Sequence, residues 1–290
     1  MDRLLFPKSF GLSHQGFEIE VVPEGCRRYP ELLESIQEQV LRIATFSRGW
    51  DEQSLDHMRT YFKLGPLYEA NSLVLIKKND TLVGLVGSVN DWRVDGRSLI
   101  HLCSLGLLPS AQRRGFLPVL LGILWTITLR RPEINEDFRQ GRSYISAITQ
   151  SPYLYAALHK LFDLYPSPNH PFVPAEVRGL ARAVVNRFDE ELQLEEETLT
   201  LRNECRFFYQ KTPYSTSREL NLFCDQNLNY RNGDVFVLIG RVIPKRVEQY
   251  IEFVANTHSD LYFRFCMALE ENGYKDIRQT NMTVGVASHG

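Results

Sequence analysis

The stretch L-G-L-L-P-S-A-Q-R-R-G-F-L-P-V-L-L, from Leu105 to Leu121, joins two kinds of periodicity. A strand ends at Leu107–Leu108, and Pro109-Ser110-Ala111 breaks it. A helix then runs from about Arg114 to Leu129, apolar almost all round and therefore buried on most of its surface. The first backbone N–H groups of such a helix have no internal partner and carry the positive end of its dipole. A loop of this kind can receive a diphosphate through backbone groups. Gly115 lets the main chain come close to a ligand, and Arg113 and Arg114 add charge at the same mouth. A glycine after two arginines also opens many helices that hold no phosphate, so the surrounding elements decide its weight.

Upstream, Phe17–Val22 alternates as a strand. Pro30 opens a helical segment with Leu33, Ile36, Val40 and Ile43 on one face, ended by Ser47-Arg48-Gly49. A second short helix runs from about Glu52 to Phe62. The period then changes. Ser72–Lys77 and Thr81–Val89 are strands about a Lys78-Asn79-Asp80 turn, and Ser98–Leu107 follows after Arg93–Gly96, giving an antiparallel meander. Downstream, Ser143–Thr149 is a strand. With a helix between, it should lie parallel to 98–107 as in a crossover unit. Pro152–Leu164 reads as helical and is ended by Tyr165-Pro166-Ser167-Pro168. Pro174 to about Leu192 is an amphipathic helix, Thr198–Leu201 a candidate strand and Asp234–Ile243 a central one. Pro244 opens a last helix with Val247, Tyr250, Ile251 and Val254 on one face.

A formal net charge of −2 gives no global reason to expect nucleic acid. The five cysteines, Cys26, Cys103, Cys205, Cys224 and Cys266, are odd in number and form no C-x-x-C pair. That argues for free thiols in a reducing compartment and against a disulfide framework or zinc site. The seven histidines form no metal motif. Met1–Phe10 lacks the apolar stretch of a signal peptide. The longest apolar run, Phe116–Leu129, is broken by Pro118 and Gly122 and falls short of the roughly 20 residues a spanning helix needs. The expectation is a cytoplasmic protein with no membrane span.

Pro109–Leu117 resembles the pyrophosphate loop of the GNAT acetyltransferase superfamily, Q/R-x-x-G-x-G/A, commonly preceded by proline. Gln112 fills the first position and Gly115 the second; Leu117 departs at the third, and Pro118 follows it. The order of elements over residues 17–164 is also that of the family. The resemblance implies a mixed α/β fold: a mostly antiparallel sheet with a central, splayed parallel strand pair and helices on both faces. On this division 1–165 is the donor-binding core, 166–197 a helical insertion and 198–290 the closing strands and C-terminal helix of one continuous domain.

The resemblance further implies acyl transfer from acyl-CoA or acetyl-CoA to an amine. The pantetheine arm would lie between the parted strands, and the N–H of Leu107 would polarise the thioester. Leu107, Gln112, Arg113, Arg114, Gly115, Phe116 and Leu117 are the implied donor-binding residues. The family's glutamate base falls at about Cys103. His101, two residues earlier on the same strand face, is an alternative base, or a packed strand histidine. Cys103 reads as a small core residue or as a nucleophile. The family's tyrosine acid falls near His159; Tyr155, four residues earlier on the same helix face, suits the chemistry, or packs. The apolar Phe116–Leu124 run leaves two donors open: an ordinary acetyl group, or a longer acyl chain on CoA or on an acyl carrier protein meeting Arg113, Arg114, Arg130 and Arg131. The acceptor is a primary amine of a small molecule or peptide or, in the longer-chain reading, an amino acid or a peptide side chain. A binding module of the same fold without turnover is the alternative outside enzymes.

Overall fold

The computed structural model describes residues 4–47, 52–61, 65–112, 114–167, 169–170, 172–188, 193–202 and 233–274. Arg113, Cys205 and Cys224 lie outside them.

The first half of the chain alternates a helical layer with the meander. Strands β1 (Phe10–His14) and β2 (Phe17–Val22) precede helices α1 (Pro30–Ser35), α2 (Gln37–Phe46), α3 (Glu52–Tyr61) and α4 (Gly65–Tyr68). The stripe expected on the first helical segment is real: Leu33, Ile36, Val40 and Ile43 are all buried, across a break at Ile36. Strands β3 (Ser72–Lys78), β4 (Thr81–Val94) and β5 (Arg97–Leu107) form the antiparallel meander. Next come α5 (Phe116–Leu129), α6 (Pro132–Arg139), β6 (Ser143–Thr149), α7 (Pro152–Leu161), β7 (Phe162–Tyr165) and α8 (Ala175–Phe188). The described chain ends with β8 (Leu194–Glu195), β9 (Thr200–Leu201), β10 (Val235–Val242), α9 (Pro244–Thr257) and α10 (Ser259–Glu271).

One sheet collects all the strands in the order β1-β2-β3-β4-β5-β6-β10-β9-β8, with β7 also on β10. Among the described residues, β5–β6 is the single parallel pair and every other pair is antiparallel. Helix α5 is buried on nearly every side because α9 covers what the sheet does not; a Cβ on Gly122 would meet Val254 at 2.9 Å. The opposite face is shared by α1, α2 and α4 over one half of the sheet and α8 over the other. The expected mixed sheet with helices on both faces is what forms.

Several elements differ from the sequence reading. The helix expected to reach Leu164 stops at Leu161, and Phe162–Tyr165 is a strand. Phe162 and Leu164 are buried against the sheet, and Val242↔Phe162 to Ile239↔Tyr165 pair with β10. The closing strand β10 lies between β6 and β7, while the strand expected at 198–201 is only Thr200–Leu201. Strand β1 and helices α4, α6 and α10 are additional. Arg130 and Arg131 also differ from expectation. Arg130 pairs with Glu270 and the Tyr274 carbonyl at the foot of α10; Arg131 holds Asn90 at 3.0 Å and Glu133 at 3.4 Å. Their side chains are only 7% and 17% exposed.

Candidate active site: a gap between two parallel strands

Strands β5 and β6 pair from Ser98↔Ser143 to Leu102↔Ala147 and then part. Each keeps its other neighbour. Residues Ser104–Leu107 continue along β4, and Ile148–Thr149 continue along β10. The closed end is fastened by Asp137, which is 2% exposed. It accepts from Ser98 Oγ at 2.6 Å and Arg142 Nη2 at 2.7 Å, and pairs with Arg93 at 2.9 Å. Burial alone would raise its pKa, but the bonds from Ser98 and Arg142 and the charges of Arg93 and Arg142 outweigh it, and the carboxyl is held below its ordinary range.

The parting coincides with a β-bulge. Ser88 pairs with Leu102 and Gly87 with Ser104, so Cys103 has no opposite residue on β4. The extra residue reverses the side-chain alternation. Ile100 and Leu102 point to the α5 face, but so do Leu105 and Leu107, while Gly106 faces α2. A side chain at 106 would collide with Ile43, whose Cγ2 lies 2.6 Å from the Cβ position. Leu108 N–H donates to Val83 O at 2.8 Å. By the alternation of an antiparallel ladder, the main-chain groups of Leu105 and Leu107 turn away from β4 and into the gap. Residues 103–108 are half-buried, as an open strand edge would be.

The loop after β5 ends at the same mouth. Ala111 and Gln112 donate backbone N–H groups to Leu108 O. The Gln112 side chain spans Leu107 O at 2.9 Å and Ser47 O at 3.3 Å, latching the loop to β5 and to the end of α2. Gly115 has φ +76° and caps α5, the left-handed conformation that glycine adopts without cost. Arg114 is exposed, bonds Ser110 O at 3.1 Å and lies over the Phe17 ring at 5.4 Å. Phe116 is a core residue, 1% exposed and edge-on to Phe17 at 4.8 Å. Leu117 is half-buried. Pro118 sits within the first turn of α5, where its missing N–H costs nothing. No acidic residue occupies that turn, so the helix N-terminus keeps its attraction for an anion.

His101 and Cys103 do share a face, as read from the sequence: His101 lies under α8 and Cys103 beside the cluster of α1, α2 and α4. His101 is 1% exposed, its Nδ1 lies 2.9 Å from Ser146 Oγ, and its ring stacks on Phe188 at 4.3 Å. Burial, helped by the charge of Arg187, depresses its pKa to about 3. The ring is enclosed and held neutral at ordinary pH. Burial pushes the Cys103 thiol far up, with Cys26 adding to it, which disfavours the thiolate. Tyr155 and His159 lie on the other face, that of α5. Tyr155 is fully buried and its hydroxyl donates to Pro166 O at 3.0 Å; His159 Nε2 lies 3.3 Å from Ser167 Oγ. Both fasten α7 to the turn after β7.

Sequence reasoning missed the charged pair beside the parting. Arg187, near the end of α8, reaches Glu69, just after α4, at 2.9 Å. It also stacks over Trp92 at 4.6 Å. These residues are 118 apart in the chain, and only the folded sheet brings them together.

No protein-family model matches the chain, and no curated protein matches it. Solved structures similar to it include PaiA N-acetyltransferase from Thermoplasma acidophilum in complex with coenzyme A. It is 14% identical, the match covers 51% of this chain and 92% of that one, and the TM-score is 0.32. A GNAT-family acetyltransferase from Staphylococcus aureus Mu50 is 16% identical over 55% of this chain and 93% of its own, with a TM-score of 0.31. Diaminobutyrate acetyltransferase EctA from Paenibacillus lautus, solved with diaminobutyric acid and coenzyme A, is 14% identical over 50% and 72%, with a TM-score of 0.27.

Proposed function

We propose that this protein is a GNAT-type acyltransferase, moving an acyl group from an acyl-CoA thioester to a primary amine of a small molecule or peptide. The observation that supports it most is the parting of β5 and β6 at the Cys103 bulge, with the glycine-capped start of α5 at the same end of β5. An extended pantetheine arm can pair with the main-chain groups of Leu105 as an added strand does, the Leu107 carbonyl being held by Gln112. The diphosphate then meets the loop from Gln112 to Leu117, including Arg113, Arg114, Gly115 and Phe116, through backbone N–H groups and arginine charge. The Leu107 N–H is the donor set to polarise the thioester carbonyl as negative charge develops on its oxygen. The amine attacks in its neutral form, and the thiolate departs and is protonated. Tyr155 can supply that proton only by releasing the Pro166 carbonyl.

A second reading is a CoA-binding module of the same fold without turnover. It is favoured by one observation: His101, Tyr155 and His159 each hold a partner within the fold. Thiol release from acetyl-CoA and palmitoyl-CoA across a panel of amines separates the two. The enzyme reading expects amine-dependent release with at least one acyl-CoA. CoA binding with no release by any amine would contradict it and leave the module.

A further inference from the structure

Two charged side chains meet over the place where β5 and β6 part, from opposite sides of one sheet face. Glu69 comes from the segment after α4. That segment lies directly on β4 at Gly87, the residue facing the bulge: a Cβ there would sit 3.0 Å from Leu67 Cδ1 and 3.5 Å from Ala70 Cβ. Arg187 comes from the end of α8. Its neighbour Phe188 is stacked on His101, whose partner Ser146 is in the last-but-one rung of the parallel ladder. The two meet at 2.9 Å, with side chains 27% and 48% exposed for Arg187 and Glu69. They are open to solvent, yet fixed. The guanidinium lies over the Trp92 ring at 4.6 Å and the Phe188 ring at 5.6 Å, and those rings meet edge-on at 5.8 Å. An arginine lying against two aromatic rings is oriented before any ligand arrives, and its planar fork of donors suits a carboxylate. Of its nitrogens, Nη2 is the one engaged by Glu69.

We propose that Glu69 and Arg187 form the acceptor site, and that the acceptor is an amine that also carries a carboxylate, an amino acid or the end of a peptide. This rests on the acyltransferase reading. Arg187 takes the acceptor's carboxylate in the fork now shared with Glu69. Glu69 takes a proton from the acceptor's ammonium. The freed lone pair forms the C–N bond at the thioester carbon, the C–S electron pair leaves on sulfur as thiolate, and the nitrogen loses a further proton as the amide forms. One thioester and one ammonium give one amide, one thiol and one proton. The packed His101 is a positioning residue in this scheme, acting through Phe188 on Arg187.

The test uses the whole chain. Common α-amino acids are supplied one at a time with acyl-CoA, each beside the amine that lacks its carboxylate, and thiol release is followed. The proposal expects the amino acid to be favoured by about tenfold or more in kcat/KM, the worth of one charge-assisted carboxylate contact. Arg187→Met should raise KM for the amino acid and erase that preference, with Arg187→Lys recovering part of it. Glu69→Gln should lower kcat most at low pH, where the acceptor arrives protonated. Arg182→Met, which breaks the exposed pair with Glu196, should change neither. Thermal stabilisation by CoA should be the same in every variant. If CoA stabilises the protein but the two classes of amine are used equally, or neither is used, or the variants keep their kinetics, the acceptor assignment is wrong. If CoA does not stabilise the unaltered protein, the acyltransferase reading fails first.

Discussion

At the scale of single residues, environment decides more than residue type. His101 was legible as a titratable group on the central strand, and its shared face with Cys103 followed from strand alternation. What could not be read was Phe188 lying on its ring and Ser146 on its Nδ1, because those contacts join residues far apart in the chain. The consequence is measurable. His101 titrates near pH 3 in the folded protein, against 6.5 for the unperturbed side chain. A depressed folded pKa leaves stability intact above pH 6.5 and removes it as pH falls from there towards 3, because the unfolded chain takes up the proton first. Urea unfolding of the protein and of His101→Gln across that window should show a shallower fall in the variant. Equal slopes would mean that His101 is solvated and that Phe188 does not cover it. Glu69 and Arg187 were invisible for a similar reason. A glutamate after a short helix and an arginine near the end of another carry no pattern that joins them.

At the scale of elements, the local signals were strong where the chain makes its own structure. The β3–β5 meander, the buried helix α5 and the strand Ser143–Thr149 were all readable from period and turn residues. Strand β7 was not. Tyr155 to Phe162 keeps a helical pattern up to the point where Phe162 and Leu164 find a place beside β10, more than one element further along the chain. Tertiary pairing overrode local preference there. The resemblance implied a bulge where the parallel strands part, but Ser98–Leu107 reads as one continuous strand and gives no signal that puts it at Cys103. Gly115 gives a direct test of the loop. With φ at +76° and the His258 ring 3.4 Å from where a Cβ would sit, Gly115→Val should lose about 1–2 kcal/mol of stability, the cost of a left-handed non-glycine residue. Gly179 of α8 is the contrast: nothing lies within 4 Å of a Cβ there, and Gly179→Ala should gain about 0.5–1 kcal/mol as a better helix former. Denaturant midpoints moving in the same direction for both would contradict these backbone assignments.

At the scale of the molecule, one sheet spans the chain from β1 to β10, and its one parallel pair opens where the loop before α5 begins. No described helix is long and apolar enough to cross a membrane. The proposed donor side is built largely from main-chain groups of β5 and of the loop before α5, which a short sequence motif can mark. The proposed acceptor side is built from Glu69 just after α4, Trp92 of β4 and Arg187 of α8, which only the fold assembles. The donor site is therefore the claim on which the rest depends. The most direct measurement is the shift in Tm of the purified protein with CoA, acetyl-CoA and palmitoyl-CoA. A ligand bound only by the folded state stabilises by RT ln(1 + [L]/Kd), about 2.7 kcal/mol at a hundredfold excess over Kd. All three should raise Tm, with their order reporting the acyl length that the gap accepts. No shift with any of them would contradict the site formed by the β5–β6 gap and the loop from Gln112 to Leu117.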